Sequence, residues 1–142
     1  MKITKFEEIE AWQLARELTQ HVYRLTKKPN FSRDWGLKDQ IQKAAGSSMH
    51  NIAEGYDAES NAEFIRFLRY AKRSCTEVQS ELYVALDEKY ISADEFKTTY
   101  DLAGRTRAAI RGFIKYLTNY KRTQNPEPRT QNPKPRTQNP EP

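Results

Sequence analysis

GLKDQIQKAAGSSMHNIAEG, Gly36 to Gly55, is the stretch that decides the fold. Leu37, Ile41, Ala44, Ser48 and Ile52 recur at near-heptad spacing, with Ala45 and Met49 beside them. That period is helical, and it lays one narrow apolar face along about five turns. The face is built mostly from small side chains: Ala44, Ala45, Gly46, Ser47, Ser48 and Ala53. Small residues let backbones approach closely, although Gly in a helix interior costs roughly 1 kcal/mol against Ala. Such a helix is expected in the middle of a bundle, with Ala45 and Gly46 marking a close crossing. Gly55 is expected to end it as a left-handed cap, with Asn51 and Glu54 as polar groups near a helix–helix contact.

Outward from that stretch the same period continues. Upstream, Ala11, Ala15, Leu18, Val22 and Leu25 form the seam of a helix over 6–27, widened by Leu14, with Trp12 at its edge. KKPNFSRDWG reads as a loop. Pro29 cannot continue a helix interior. Phe31 and Trp35 are expected to anchor the loop on the bundle, and Ser32 or Asp34 to cap the second helix.

Downstream, Ser60 with Glu63 makes a capping box. It opens a third helix running to about Lys89, with Phe64, Leu68, Ala71, Cys75, Val78, Leu82 and Ala85 as its seam. Ser92 with Glu95 makes a second capping box. It opens a fourth helix with Phe96, Tyr100, Ala103, Ile110, Ile114 and Leu117 inward. Arg107 falls on an apolar position of that seam. Four helices joined by short connections predict an all-α, antiparallel up-down-up-down four-helix bundle over residues 1–121. Residues 122–142 repeat RTQNPEP, RTQNPKP, RTQNPEP, with two Pro per copy and nothing aliphatic or aromatic. That composition predicts a disordered, Pro-rich C-terminal tail of polyproline character.

Three of these segments, in order, carry a resemblance. WGLKDQIQKAA followed by SSMHNIAEG, the opening FEEIEAWQLARELTQHVYRLT, and EFIRFLRYAKRSCTEVQSEL together resemble the small bacterial four-helix-bundle family of the 23S rRNA intervening-sequence protein. The likeness spans about residues 6–118. One departure is Met49, where that family usually has Pro two residues before the Asn of NIAEG, so the kink a Pro imposes is not expected here. The resemblance implies a ring-like homo-oligomer, with a pentamer favoured. Through a related group it implies nucleic-acid binding and a possible protein partner such as a reverse transcriptase.

Composition limits the function classes. The chain has 142 residues, one Cys, two His and a formal charge of +5. Residues 1–121 hold 20 Lys/Arg and 17 Asp/Glu, or +3, and residues 122–142 hold 4 and 2, or +2. A modestly basic body tolerates polyanions without requiring them. A lone Cys75 excludes an intrachain disulfide and fits a reducing compartment. With no apolar leader and no run of about 18 apolar residues, a cytoplasmic protein without membrane contact is expected.

Catalysis has little to work with. No H-E-x-x-H, C-x-x-C or Gly-rich phosphate loop is present. Neither His21 nor His50 has a Glu three residues before it, as a di-iron bundle needs. Cys75 reads as a packed small hydrophobe and His50 as a surface or interface group. No enzyme activity, cofactor or metal is expected. The basic residues say more. Arg66, Arg69, Lys72 and Arg73 lie along helix three, and Arg105, Arg107, Arg111 and Lys115 along helix four. Antiparallel packing could set both stripes on one wall, where they would contact phosphates of a nucleic acid, RNA favoured, while Tyr70 or Tyr116 stack on bases. The competing reading is a solvated face balanced by Glu63, Glu77 and Glu81, in a structural oligomer or protein–protein adaptor. Spacing alone favours the solvated face, and the resemblance brings the two readings level. Trp12, Tyr23, Phe67 and Tyr83 cannot all fit one seam, which leaves apolar surface for self-association.

Overall fold

The computed structural model describes residues 2–124, and side chains for 2–120. The disordered tail expected over 122–142 starts later than that, because residues 122–124 are helical; residues 125–142, and their expected disorder, lie outside the described residues. Five α-helices follow a 3-10 turn at Phe6–Glu8: α1 Glu10–Thr26, α2 Pro29–Arg33, α3 Trp35–Tyr56, α4 Asn61–Asp87 and α5 Ala93–Gln124. The long helices α1, α3, α4 and α5 are the four expected ones, and no strand is found among the described residues. Each packs along two neighbours, α1 on α3 and α5, and α4 on α3 and α5. This closes an up-down-up-down bundle.

Local chemistry sets the helix ends. Asp34 caps α3, its carboxylate accepting from the Leu37 amide at 3.1 Å. Ser60 caps α4 by accepting from the Glu63 amide at 3.2 Å, but the Glu63 carboxylate turns to Arg66 instead of closing the box. The box at α5 is complete: the Glu95 amide donates to Ser92 Oγ at 3.0 Å, and the Ser92 amide donates to Glu95 Oε1 at 2.8 Å. The segment expected as a loop holds one short helix. Pro29 sits in its first turn, where its missing N–H is harmless.

The seams of α1, α3 and α4 are the predicted ones. Ala15, Leu18, Val22, Ile41, Ala45, Ile52, Leu68, Cys75, Val78 and Leu82 are all fully buried. Each large aliphatic among them contributes roughly 1.5–3 kcal/mol. Helix α3 is unbroken through Met49.

Five expectations are corrected. Helix α3 is not central: it packs along two long neighbours, as every long helix does. Gly46 marks no close crossing, because a Cβ there would meet only the His50 ring at 3.6 Å. Ala45 does mark one: its carbonyl accepts from Thr19 Oγ1 of α1 at 3.0 Å. Gly55 is no left-handed cap either. It lies inside α3, and a Cβ there would sit 2.8 Å from Phe64 Cδ1 and 2.9 Å from Phe67 Cβ. The left-handed residue is Lys89, at φ 63°. There the Tyr90 amide bonds the Ala85 carbonyl and the Lys89 amide bonds the Leu86 carbonyl, both at 2.9 Å. That pair of bonds is a Schellman ending built on a non-glycine residue.

The remaining two corrections concern Trp35 and Arg107. Phe31 anchors α2, fully buried and stacked on Tyr90 at 5.3 Å, whose hydroxyl donates to Asp34 Oδ2 at 2.8 Å. Trp35 does not anchor: it is 74% exposed, with Lys38 Nζ 4.6 Å above its ring. In α5 the inward register runs through Thr99, Leu102, Ala103, Thr106 and Ile110. Arg107 therefore lies beside the seam, not in it. The buried Thr106 hydroxyl is satisfied by the Leu102 carbonyl at 2.8 Å, which lets a polar residue take the core position.

Candidate nucleic-acid interface

The two basic stripes meet along the α4–α5 seam. Arg107 crosses it, its Nε donating to Thr76 Oγ1 of α4 at 3.0 Å. Farther down the same seam Gln79 reaches the Tyr100 carbonyl at 3.3 Å. These bonds fix which edge of each helix faces the other. One and two turns after Arg107, Arg111 and Lys115 follow the same edge of α5. One and two turns before Thr76, Lys72 and Arg69 follow the facing edge of α4. Arg69, Lys72, Arg107, Arg111 and Lys115 therefore share one wall. Arg105, two residues before Arg107, is turned away from it.

Arg66 and Arg73 stand next to that wall and are already engaged. Arg66 Nη1 donates to the Tyr70 hydroxyl at 2.7 Å, and Nη2 bonds Glu63. This pairing raises the guanidinium's proton affinity and lowers that of the Glu63 carboxyl, both chiefly through the mutual hydrogen bond. Both guanidinium groups lie over the Tyr70 ring, at 5.5 Å and 5.2 Å. Tyr70 is thus occupied within its own helix and is not the free stacking platform expected of it. Tyr116 is 37% exposed, but it belongs to a separate ladder with Phe113 at 5.9 Å and Tyr120 at 6.1 Å.

Charge balance differs from the solvated-face reading. Of Glu63, Glu77 and Glu81, Glu63 pairs with a cation of the stripes, Arg66. Among the described residues, Arg69, Arg73, Arg105, Arg107, Arg111 and Lys115 have no carboxylate within ion-pair distance. Arg107 bonds a hydroxyl, that of Thr76, and no carboxylate. Glu81 lies on the opposite edge of α4, two turns beyond Ser74, whose hydroxyl donates to Ser47 of α3 at 2.9 Å. Glu81 is only 8% exposed, and its Oε1 has no hydrogen-bond partner. Desolvation, reinforced by the neighbouring Glu77, pushes its carboxyl up to about 8. It is the feature that sequence reasoning missed, having counted Glu81 as a surface counter-charge. Its i, i+3 distance from the seam residue Val78 was the available signal.

Cys75 is fully buried, and burial pushes its thiol up to about 12 despite the charge of nearby Arg107. His50 is exposed on α3. Among the described residues no cluster of three His, Cys, Asp or Glu could hold a metal, and no helix is long and apolar enough to cross a membrane.

An all-helical four-helix bundle with this signature in α3 is the class of protein to which the comparisons point. The family model described as "23S rRNA-intervening sequence protein" matches residues 7–112, and the chain belongs to that family. A solved structure of a protein of unknown function, from the S23 ribosomal protein family of Bacteroides thetaiotaomicron, superposes with a TM-score of 0.69. It is 22% identical, with 74% of this chain and 98% of that chain covered, a likeness of fold. No curated protein matches.

Proposed function

We propose that this protein is a noncatalytic, homo-oligomeric bundle that binds nucleic acid, RNA first, through the α4–α5 wall. The observation that carries the reading is the shared edge of Arg69, Arg107, Arg111 and Lys115, none of which has a carboxylate within ion-pair distance among the described residues. Unopposed cations on a rigid wall are free to replace the counterions of a phosphate backbone. A single body of +3 binds weakly, and several copies in a ring, a pentamer by resemblance, multiply the field. A protein partner, such as a reverse transcriptase, would use other faces.

The test is fluorescence anisotropy with a labelled single-stranded RNA, titrated at several salt concentrations. Affinity should fall steeply with salt and show little sequence preference. Changing Arg69, Arg111 and Lys115 together to Glu should weaken binding at least tenfold while circular dichroism stays helical. Retained affinity in that variant removes the wall as the site. Light scattering at micromolar concentration checks the assembly, and a monomer mass defeats that part.

The adaptor reading has its own observation. Tyr83, half exposed, packs on Phe96 at 4.9 Å and Tyr100 at 5.7 Å, next to exposed Val84. This is apolar surface suited to a protein contact. Failure of the parent to bind RNA at low salt favours it.

A further inference from the structure

One end of the bundle carries a cleft of about 410 Å³. Tyr56, Phe64, Phe113, Tyr116 and Tyr120 line it, and Ile3 closes one side. The rings are in mutual contact: Tyr56 on Phe64 at 6.3 Å, Phe64 on Phe113 at 5.5 Å, Phe113 on Tyr116 at 5.9 Å, Tyr116 on Tyr120 at 6.1 Å. The Tyr56 hydroxyl donates to the Ile3 carbonyl at 3.2 Å and holds the N-terminal segment as a wall. Tyr116 and Tyr120 remain 37% and 49% exposed. Parallel aromatic rings with open edges are what proline-rich segments dock on. The pyrrolidine packs on the ring, and the polyproline II backbone loses little entropy on binding. The two charged residues on the rim, Lys2 and Glu59, have opposite sign.

We propose that this cleft is a receptor for a proline-rich segment, and that its occupant is the chain's own C-terminal repeat. The repeats supply the matching chemistry. Each copy carries two prolines one residue apart and an Arg, and two of the three carry a Glu between the prolines. They also start in the right place. Helix α5 ends at Gln124, four residues past Tyr120, or about 6 Å of helix rise. Residues 125–128 can span about 13 Å when extended, enough to turn back and bring 129–142 over the rings. Tethering sets the local concentration of the repeat in the millimolar range, so weak contacts suffice. Three near-identical copies offer the cleft more than one register. The bare composition of the repeat, with nothing to bury, suggested a segment that docks nowhere; the tyrosine ladder supplies a surface that needs no aliphatic anchor.

The experiment uses full-length, isotope-labelled protein and reads backbone amide resonances of residues 130–142. A synthetic peptide of that sequence provides the undocked reference. Docking displaces resonances of at least one repeat from the peptide positions. Replacing the half-exposed ring in Tyr116→Ala should return them to those positions, because residues 130–142 are too far along the chain to sense the substitution directly. A second variant, with all tail prolines changed to Ala, leaves the bundle untouched, and its tail resonances should coincide with those of a synthetic peptide carrying the same substitutions. Tail resonances that coincide with the free peptide in the parent overturn the proposal. So do displaced resonances that ignore both variants.

Discussion

The two edges of α4 are built in opposite ways. Toward α3 the seam is tight and short-ranged. Gly55 lies under Phe64 and Phe67, and Asn51 donates to Ser47 at 2.8 Å. Ser47 accepts from Ser74, and Glu81 is buried beyond them. Toward α5 the seam is spanned by long polar arms, Arg107 to Thr76 and Gln79 to Tyr100, with cations along its outer rim. One helix thus has an edge that admits no added atom and an edge that tolerates change. Stability should concentrate on the first and binding on the second.

The largest expected effect comes from adding one methyl group to the tight edge. Gly55→Ala places a Cβ under 3 Å from two Phe side chains and should destabilise by about 1–3 kcal/mol. Gly46→Ala, on the same helix but with space around it, should stabilise by up to about 1 kcal/mol. Chemical denaturation midpoints measure both, and equal effects would erase the contrast.

Glu81 sharpens it through pH. Its carboxyl is raised in the fold from about 4.5 to about 8, so folding takes up a proton between those values. Stability is unimpaired by this group below about pH 4.5, falls as pH rises, and levels off above about 8. Glu81→Gln should remove that slope, a gain of about 1–3 kcal/mol at pH 9. Thermal melts of parent and variant across pH 5–9 that run parallel would show that Glu81 is not desolvated.

At the α4–α5 turn, Lys89→Gly relieves a left-handed L-residue and should stabilise by about 0.5–1 kcal/mol, read from the same denaturation curves. The smallest effect belongs to the open edge itself. Arg107→Ala loses one hydrogen bond to an exposed threonine and no ion pair, so its midpoint should move by no more than about 0.5 kcal/mol. A large loss would make Arg107 structural and take it out of the binding wall.

The periodic seams of α1, α3 and α4 were legible because a buried aliphatic repeats in sequence as it does in space. Thr106 broke the pattern in α5: a threonine satisfies its hydroxyl on its own helix, so polarity alone mis-set the register by one residue. Glycine was the hardest residue to read. Gly46 and Gly55 look alike in sequence, and only the neighbours across the seam separate them. The wall was half legible. Spacing found the cations, but which of them share an edge depended on Thr76, and which carboxylates oppose them depended on Glu81 facing away. The aromatic cleft had a visible trace in Phe113, Tyr116 and Tyr120, at i, i+3 and i+7, but Tyr56 and Ile3 come from distant segments.

The burial of Cys75 makes the molecule chemically silent toward thiol reagents. It is the chain's one cysteine, fully enclosed, and burial pushes its thiol up to about 12. Oxidants and alkylating reagents should reach it only when the bundle opens, so its labelling rate becomes a clock for opening. A cysteine placed anywhere on the outside would be the sole reactive handle, with no native residue to remove first. Modification of the native protein within seconds, far faster than its unfolding, would show that helix α4 parts from its neighbours without the rest.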